Sequence, residues 1–506
     1  MADGMKKVGP ATATHGGVSG DQLHPCDMVE TLAALSAGYR KHTGDAHKKS
    51  WGQFFTGPQI AAFMSSLLEA PRRGTVRILD PGAGTGVLGI CATNEILGRF
   101  AARVHLTAVE KELGVAKILR KSLAVAQRRW GERLQYNVVE DDFLDLARRE
   151  RQIANFDYAI GNPPYFKMSP SDARGGDAPN AYARFIEVAL GMLADGGQLC
   201  FIIPRSFSSG CYFKNFRRRL HSVARLDHVH VFGSRIDAFR QDGVLQENII
   251  VLYKKTQAPS ASVLISSSQG ESDLAERGIH SVPRTRVIAE ARDSSLFLPT
   301  NSRDLRVMDL VAGWTATLAT MGLEVSTGPV VPFRAEHFLR QKSSTNTVPL
   351  LWLQHVRPGQ VTWPLDNGFR KPEHIKRSAG SKLLVPNRTY VLVRRFSAKE
   401  DTRRLVAGPY LAGSLPGALL GLENHVNFVH RPGGEISPRQ AMGLAALFNS
   451  ELIDAYFRIS SGNTQVSATE LRALPLPSVA ALDAIATRVC KGQSADAAVN
   501  GVVSEE

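Results

Sequence analysis

Arg77-Ile78-Leu79-Asp80-Pro81-Gly82-Ala83-Gly84-Thr85-Gly86 follows the strand-like run Val76 to Leu79 and opens an apolar-periodic segment, Val87 to Phe100. Glycine has no Cβ and tolerates positive φ, so such a turn lets backbone approach a ligand closely. The dinucleotide fingerprint is G-x-G-x-x-G. Here the third Gly comes one position early, and Asp80 precedes the turn. An acid there repels a pyrophosphate and attracts an ammonium group. Two further strand-like runs end in acids. Val104 to Val109 leads to Glu110, placed where a carboxylate can chelate ribose hydroxyls. Leu134 to Glu140 leads to Asp141-Asp142-Phe143, an acid and an aromatic suited to an adenine amine and ring. A lone acid is ordinarily a solvated strand end; three at successive ends argue for a site. Ribose, adenine and free ammonium without phosphates describe S-adenosyl-L-methionine better than NAD or ATP. Asp80, Gly82, Ala83, Gly84, Gly86, Glu110, Asp142 and Phe143 are therefore the candidate cofactor residues.

Downstream, the apolar run Phe156 to Gly161 ends in Asn162-Pro163-Pro164-Tyr165. An Asn oxygen and the next backbone carbonyl can each accept one N–H of a planar exocyclic amine. Held that way, its nitrogen is biased toward a tetrahedral geometry with the lone pair aimed at an electrophile. The two prolines restrict φ and the residue before each, so both acceptors are pre-aimed. Tyr165 can stack on a heterocycle, worth about 1–3 kcal/mol per base. A strand ending in a proline turn with a buried Tyr is the plainer alternative.

Alternation of strands with apolar-periodic helices (Gln59 to Leu68, Glu112 to Ala126, Ala181 to Leu193) implies an α/β fold, a doubly wound, mostly parallel sheet with ligands at the carboxyl ends of its strands. A mixed α+β domain is expected to follow. The expected divisions are a disordered lead at 1–27, a catalytic domain at 28–256, a Ser/Gln/Gly-rich linker at 257–273, a recognition domain at 274–480 and a tail at 481–506. A helix is expected over Asp27 to Arg40, a mobile loop over Phe166 to Pro179, one strand over Leu383 to Val393 and one helix over Arg439 to Phe457. No uninterrupted apolar run approaches the ~18 residues needed to cross a membrane, and no signal peptide is recognisable, so a cytoplasmic location is expected. Five cysteines without a C-x-x-C pair favour a reducing compartment and no structural metal.

The net charge is +14. Between Val331 and Tyr410 fifteen Lys/Arg stand against five acids, interleaved with Trp352, Trp363, Phe369, Tyr390 and Phe396. Such a basic, aromatic-studded stretch reads as a nucleic-acid surface; a solvated face is the alternative. Arg370, Lys371, Lys376, Arg377, Arg394 and Arg395 are the candidate DNA contacts.

These motifs resemble those of the gamma-class N6-adenine DNA methyltransferases of restriction–modification systems. The likeness covers about residues 30 to 256 with good specificity. It implies the class I S-adenosylmethionine-dependent fold, double-stranded DNA as substrate, a flipped adenine, and a carboxyl-terminal target-recognition domain. Gly52-Gln53-Phe54-Phe55-Thr56-Gly57-Pro58 resembles the family's first element, with Gly57 intervening between its Thr and Pro; this makes Thr56 a contact to the methionine carboxylate. Asn180 to Phe185 resembles the element placing an aromatic, Phe185, beneath the cofactor adenine, and Phe239 resembles the aromatic closing the second face of the target base. The resemblance allows for a separately encoded restriction endonuclease of the same specificity, with the methyltransferase a monomer. Methylation of a protein glutamine amide or an RNA base amine, methylation of cytosine N4, and a non-catalytic DNA-binding module are the competing readings.

Overall fold

The computed structural model describes residues 56–149, 155–166, 178–233, 247–365, 368–380, 382–397, 401–461 and 465–504. The expected lead, the helix over Asp27 to Arg40, residues Gly52 to Phe55, most of the loop after the tetrapeptide, and Phe239 lie outside them.

The first half is built on nine strands: β1 (Thr75–Pro81), β2 (Arg103–Val109), β3 (Leu134–Val139), β4 (Phe156–Gly161), β5 (Leu193–Pro204), β6 (Arg225–Phe232), β7 (Asn248–Lys254), β8 (Ser262–Ser268) and β9 (Gly278–Pro283). Their order is β3-β2-β1-β4-β5-β7-β6-β8-β9. The first five neighbours pair in parallel, β7 runs antiparallel between β5 and β6, and β6 pairs β8 in parallel. Strand order reverses between β1 and β4, and crevices at such switch points take ligands.

Both faces of this sheet are covered, which is why its central strands are continuous apolar runs. On one face α1 (Pro58–Ser66), α2 (Val87–Arg99) and α3 (Leu113–Trp130) pack on Ile78, Ile160, Cys200, Ile202 and Ile250. On the other, α4 (Phe143–Arg149), α5 (Ala181–Met192) and α6 (Lys214–Val223) pack on Leu79, Ala159, Phe201, Ile203 and Val251. The period-2 alternation along β5 thus divides its side chains between two cores. Asn180 caps α5, its side chain accepting the Ala183 N–H at 3.1 Å.

Three expectations are corrected. Residues 257–273 do not form a linker: β8 lies inside them and joins the main sheet. Its serines disguised a strand whose Val263 and Ile265 are buried. Ser266 and Ser268 are buried too, paired to His228 and His230 at 2.7–3.1 Å. The run Leu383 to Val393 is two strands, Leu384–Pro386 and Tyr390–Arg394, in different sheets, because Pro386 lacks the N–H a continuing ladder needs. Arg439 to Phe457 is likewise two helices, Pro438–Phe448 and Glu451–Ser460, the second opened by Ser450 capping the Ile453 N–H at 3.3 Å.

Beyond the main sheet, a four-stranded and a five-stranded sheet share residues 324–430, and helices between 438 and 503 pack on the former. This mixed α+β half follows the α/β half, as expected from the sequence. Among the described residues no helix is long and apolar enough to cross a membrane. Cys91 and Cys200 are buried free thiols, Cys91 pushed up to about 12 by burial.

Candidate active site

The turn after β1 is shaped by its glycines. Gly82, Gly84 and Gly86 have φ of 77°, 56° and 89°, in the left-handed region that favours glycine. The Gly82 and Ala83 N–H groups both donate to the Val109 carbonyl, at 2.9 and 2.8 Å, tying the turn to the end of β2. Gly86 opens α2, and a Cβ there would meet Leu119 Cδ1 at 2.7 Å. Its task is helix–helix packing, and it does not line the cleft described next.

A cleft lies over the carboxyl ends of β1 to β4. Thr56, Gly82, Ala83, Gly84, Glu110, Asp142, Phe143, Phe185, Asn162 and Pro164 all line it, so most of the cofactor residues and two residues of the tetrapeptide open onto one space. Glu110 Oε2 accepts the Gly84 N–H and Oε1 the Glu112 N–H, each at 2.9 Å. Each oxygen retains a lone pair for a ribose hydroxyl. Burial holds this carboxyl above its ordinary range, against the pull of those two N–H groups. Asp142 is braced by the Leu144 N–H at 2.9 Å and stands 3.6 Å from Lys111 Nζ. Phe143 and Phe185 pack with ring centroids 5.0 Å apart. Among the described lining residues Lys111 is the sole cation, against Glu110, Asp141 and Asp142. That donor set fits an adenosine bearing a cationic tail and does not fit a polyphosphate.

Asp80 has another role than the one expected. It is buried, absent from the cleft lining, and accepts the Gly89 N–H of α2 through Oδ2 at 2.8 Å. It pins the turn from beneath, with its pKa raised to about 7, chiefly by burial.

At the end of β4, Asn162 is held at both ends of its amide. Nδ2 donates to Thr56 Oγ1 at 3.2 Å, and Oδ1 accepts from the Tyr165 hydroxyl at 2.6 Å. Pro163 is buried between them in sequence. The Tyr165 oxygen also lies 3.1 Å from the Ile202 carbonyl, and its ring meets Tyr182 edge-on at 6.2 Å. Tyr165 is thus half-buried against the β5 side of the core. The aromatic at the cleft edge is Phe166, 40% exposed, with Lys111 Nζ 6.0 Å from its ring centre. Sequence reading passed over Phe166 and Lys111, although each directly follows a residue it singled out.

In the second half, Arg370, Lys371 and Arg394 line a separate open cleft with Gln354, Arg357 and Phe369. Arg394 is partly committed, donating to the Val356 carbonyl at 2.8 Å, and Arg395 donates to the Asn424 carbonyl at 3.1 Å. Lys376 and Arg377 stand outside that lining. Trp352 and Tyr390, expected among surface aromatics, are core residues at 4% exposure, their polar atoms bonded to the Pro372 and Pro386 carbonyls. Only Phe396 of the five reaches 38%. The strands needed apolar cover on their inner faces, and these rings supply it.

Fold and cleft together define a class I S-adenosylmethionine-dependent methyltransferase. Residues 115–239 match the family model described as Eco57I restriction-modification methylase. The chain is 33% identical over 469 residues to the Type II methyltransferase M.PstI of Providencia stuartii, covering 90% of this chain and 92% of that one. It is also 33% identical over 453 residues to M.BsuBI of Bacillus subtilis, covering 85% and 88%. The chain belongs to this family of Type II restriction–modification methyltransferases. A shorter likeness, 31% over 101 residues, covers 20% of this chain and 38% of a tRNA1(Val) (adenine(37)-N6)-methyltransferase of Shewanella putrefaciens. In fold it is similar to the Type IIL restriction-modification enzyme MmeI (TM-score 0.52, 11% identity, 94% of this chain and 72% of that one).

Proposed function

We propose that this protein methylates the N6 amine of adenine at a specific site in double-stranded DNA, taking the methyl group from S-adenosyl-L-methionine. The observation that carries the proposal is that Asn162 and Pro164 open onto the same cleft as the glycine turn and Glu110. A target amine gripped there would face the methyl-bearing end of the cofactor. When bound, the cofactor supplies an electrophilic methyl on a positive sulfur. The chain's own residues bind, orient and exclude. Glu110 would take the ribose, Asp142 the adenine amine, and Phe185 the adenine ring, with Thr56 at the methionine end.

Asn162 Oδ1 and the Pro163 carbonyl would accept the two amine hydrogens of a base rotated out of the duplex, a rotation that costs a few kcal/mol. The single Tyr165 hydroxyl hydrogen has two acceptors within reach, Asn162 Oδ1 and the Ile202 carbonyl. Turning it to Ile202 frees Asn162 for the amine without unpairing the hydroxyl. Tyr165 or Phe166 would then cover one face of the base and Phe239 the other. Geometry supplies most of the acceleration. Choice of an adenine amine is supported by the tRNA adenine-N6 enzyme that part of this chain resembles. Duplex DNA is favoured over RNA or protein by the basic cleft of the second half and by the Type II relatives matched along their length. A separately encoded endonuclease of the same specificity and action as a monomer complete the proposal.

The test is incubation of the purified protein with radiolabelled cofactor and plasmid, followed by mapping of modified positions. Label on one adenine of a recurring sequence is the expected result; label only on RNA or polypeptide overturns it.

A further inference from the structure

Several charged side chains meet where the last strands of the main sheet touch the second half. Arg205, just past β5, and Glu247, just before β7, belong to the first half; Arg404, Asp454 and Arg458 belong to the second. The Glu247 carboxylate lies 3.5 Å from Arg205 Nη1 and 3.7 Å from Arg404 Nη1, with the three side chains 4%, 7% and 2% exposed respectively. Arg205 Nη2 also donates to the Arg458 and Ile459 carbonyls, at 2.6 and 3.3 Å. These belong to the last turn of helix Glu451–Ser460, the end of a helix that favours a cation. From the same helix, Asp454 accepts the Arg404 backbone N–H and Arg458 Nε. The desolvation cost of such a buried network largely offsets its attraction, so it is a poor source of stability. What it can supply is a fixed relation between two bodies.

Both ends of the network lead to working residues. Ile202, three residues before Arg205, offers its carbonyl to Tyr165, which in turn contacts Asn162. Arg404 Nε donates to Ser397 Oγ at 3.1 Å, two residues past Arg395 on the basic side. Side-chain contacts and two short stretches of backbone, Ile202 to Arg205 and Arg395 to Ser397, therefore lead from Asn162 to the end of the strand Tyr390–Arg394, with Glu247 between them.

We infer that Glu247, clasped between Arg205 and Arg404, is a positioning residue that locks the recognition half in register with the strand ends carrying Asn162, so that a duplex gripped on one side presents its base on the other. This rests on the DNA-methyltransferase reading above. The test uses the full-length protein, saturating S-adenosylmethionine and a duplex carrying the mapped site. In Glu247→Gln the single-turnover rate constant of the active fraction falls on the order of tenfold or more, since about 1 Å of misplacement can cost 10²-fold. Cofactor and duplex dissociation constants stay close to wild type, and Glu247→Asp recovers part of the rate. Arg404→Lys, which keeps the charge but not the planar fork, shows the same pattern more weakly. A merely structural joint would lower the active fraction and Tm while leaving the rate constant of the remainder unchanged; that result, or misfolding of all three variants, overturns the inference. Wild type leaving every adenine in duplex DNA unmarked overturns the underlying function instead, so the two failures are told apart.

Discussion

Replacing Asn162 by Ala isolates the step on which the proposed chemistry turns. The amide is held by Thr56 at 3.2 Å and Tyr165 at 2.6 Å, so its oxygen is kept in one orientation. As the amine nitrogen attacks and gains positive charge, its N–H becomes a better donor, and the bond to Oδ1 strengthens toward the transition state. Removing one pre-oriented hydrogen-bond partner of this kind costs about 10²–10³ in rate, or roughly 2.7–4 kcal/mol. The fold should lose only about 1 kcal/mol, because the Tyr165 hydroxyl keeps the Ile202 carbonyl. Cofactor affinity should barely move, since the glycine turn, Glu110 and Phe185 stay in place around the cleft. Single-turnover transfer of labelled methyl to plasmid, beside calorimetric titration of the cofactor, reads both quantities. Parallel losses of rate and cofactor affinity would refute the assignment, as would a rate within a few-fold of wild type.

Other outcomes follow from the same geometry. Glu110→Gln should weaken S-adenosylmethionine binding about 10- to 100-fold, the worth of one charged hydrogen bond at about 1.5–3 kcal/mol; an unchanged calorimetric dissociation constant would remove the ribose role. Asp80 carries a pKa raised to about 7 from 3.8, so the folded protein holds a proton there that the unfolded chain releases. Its contribution is complete below about pH 4 and is lost as pH rises through about 7, at about 1.4 kcal/mol per unit. Cofactor-free wild type should therefore lose Tm from pH 5 to 8 more steeply than Asp80→Asn, and parallel curves would sink the claim. DNA affinity should fall steeply with salt, with Lys371→Ala and Arg370→Ala each reducing the log–log slope by about one; a flat dependence would deny the basic cleft its role.

Much of the site was legible in the chain because its signals are local. The glycine turn, the acids ending β2 and β3, and the tetrapeptide ending β4 each declare a strand end in a few residues, and a parallel sheet brings all strand ends of one sense to one side. Positive φ at three glycines and proline-restricted acceptors are properties of backbone, which sequence encodes directly. What it could not encode is which way a side chain faces once two layers close around it. Asp80 turned under the loop because a helix N–H lay within reach there. Trp352 and Tyr390 turned inward because small sheets need cover. The serines of β8 passed for a linker because their partners, His228 and His230, stand some thirty-eight residues away. The meeting of Arg205 with Glu247 and Arg404 depends on packing between the two halves. The order of motifs therefore determined the fold and the chemistry; burial, decided only when distant segments meet, assigned each polar group to the ligand or to the frame.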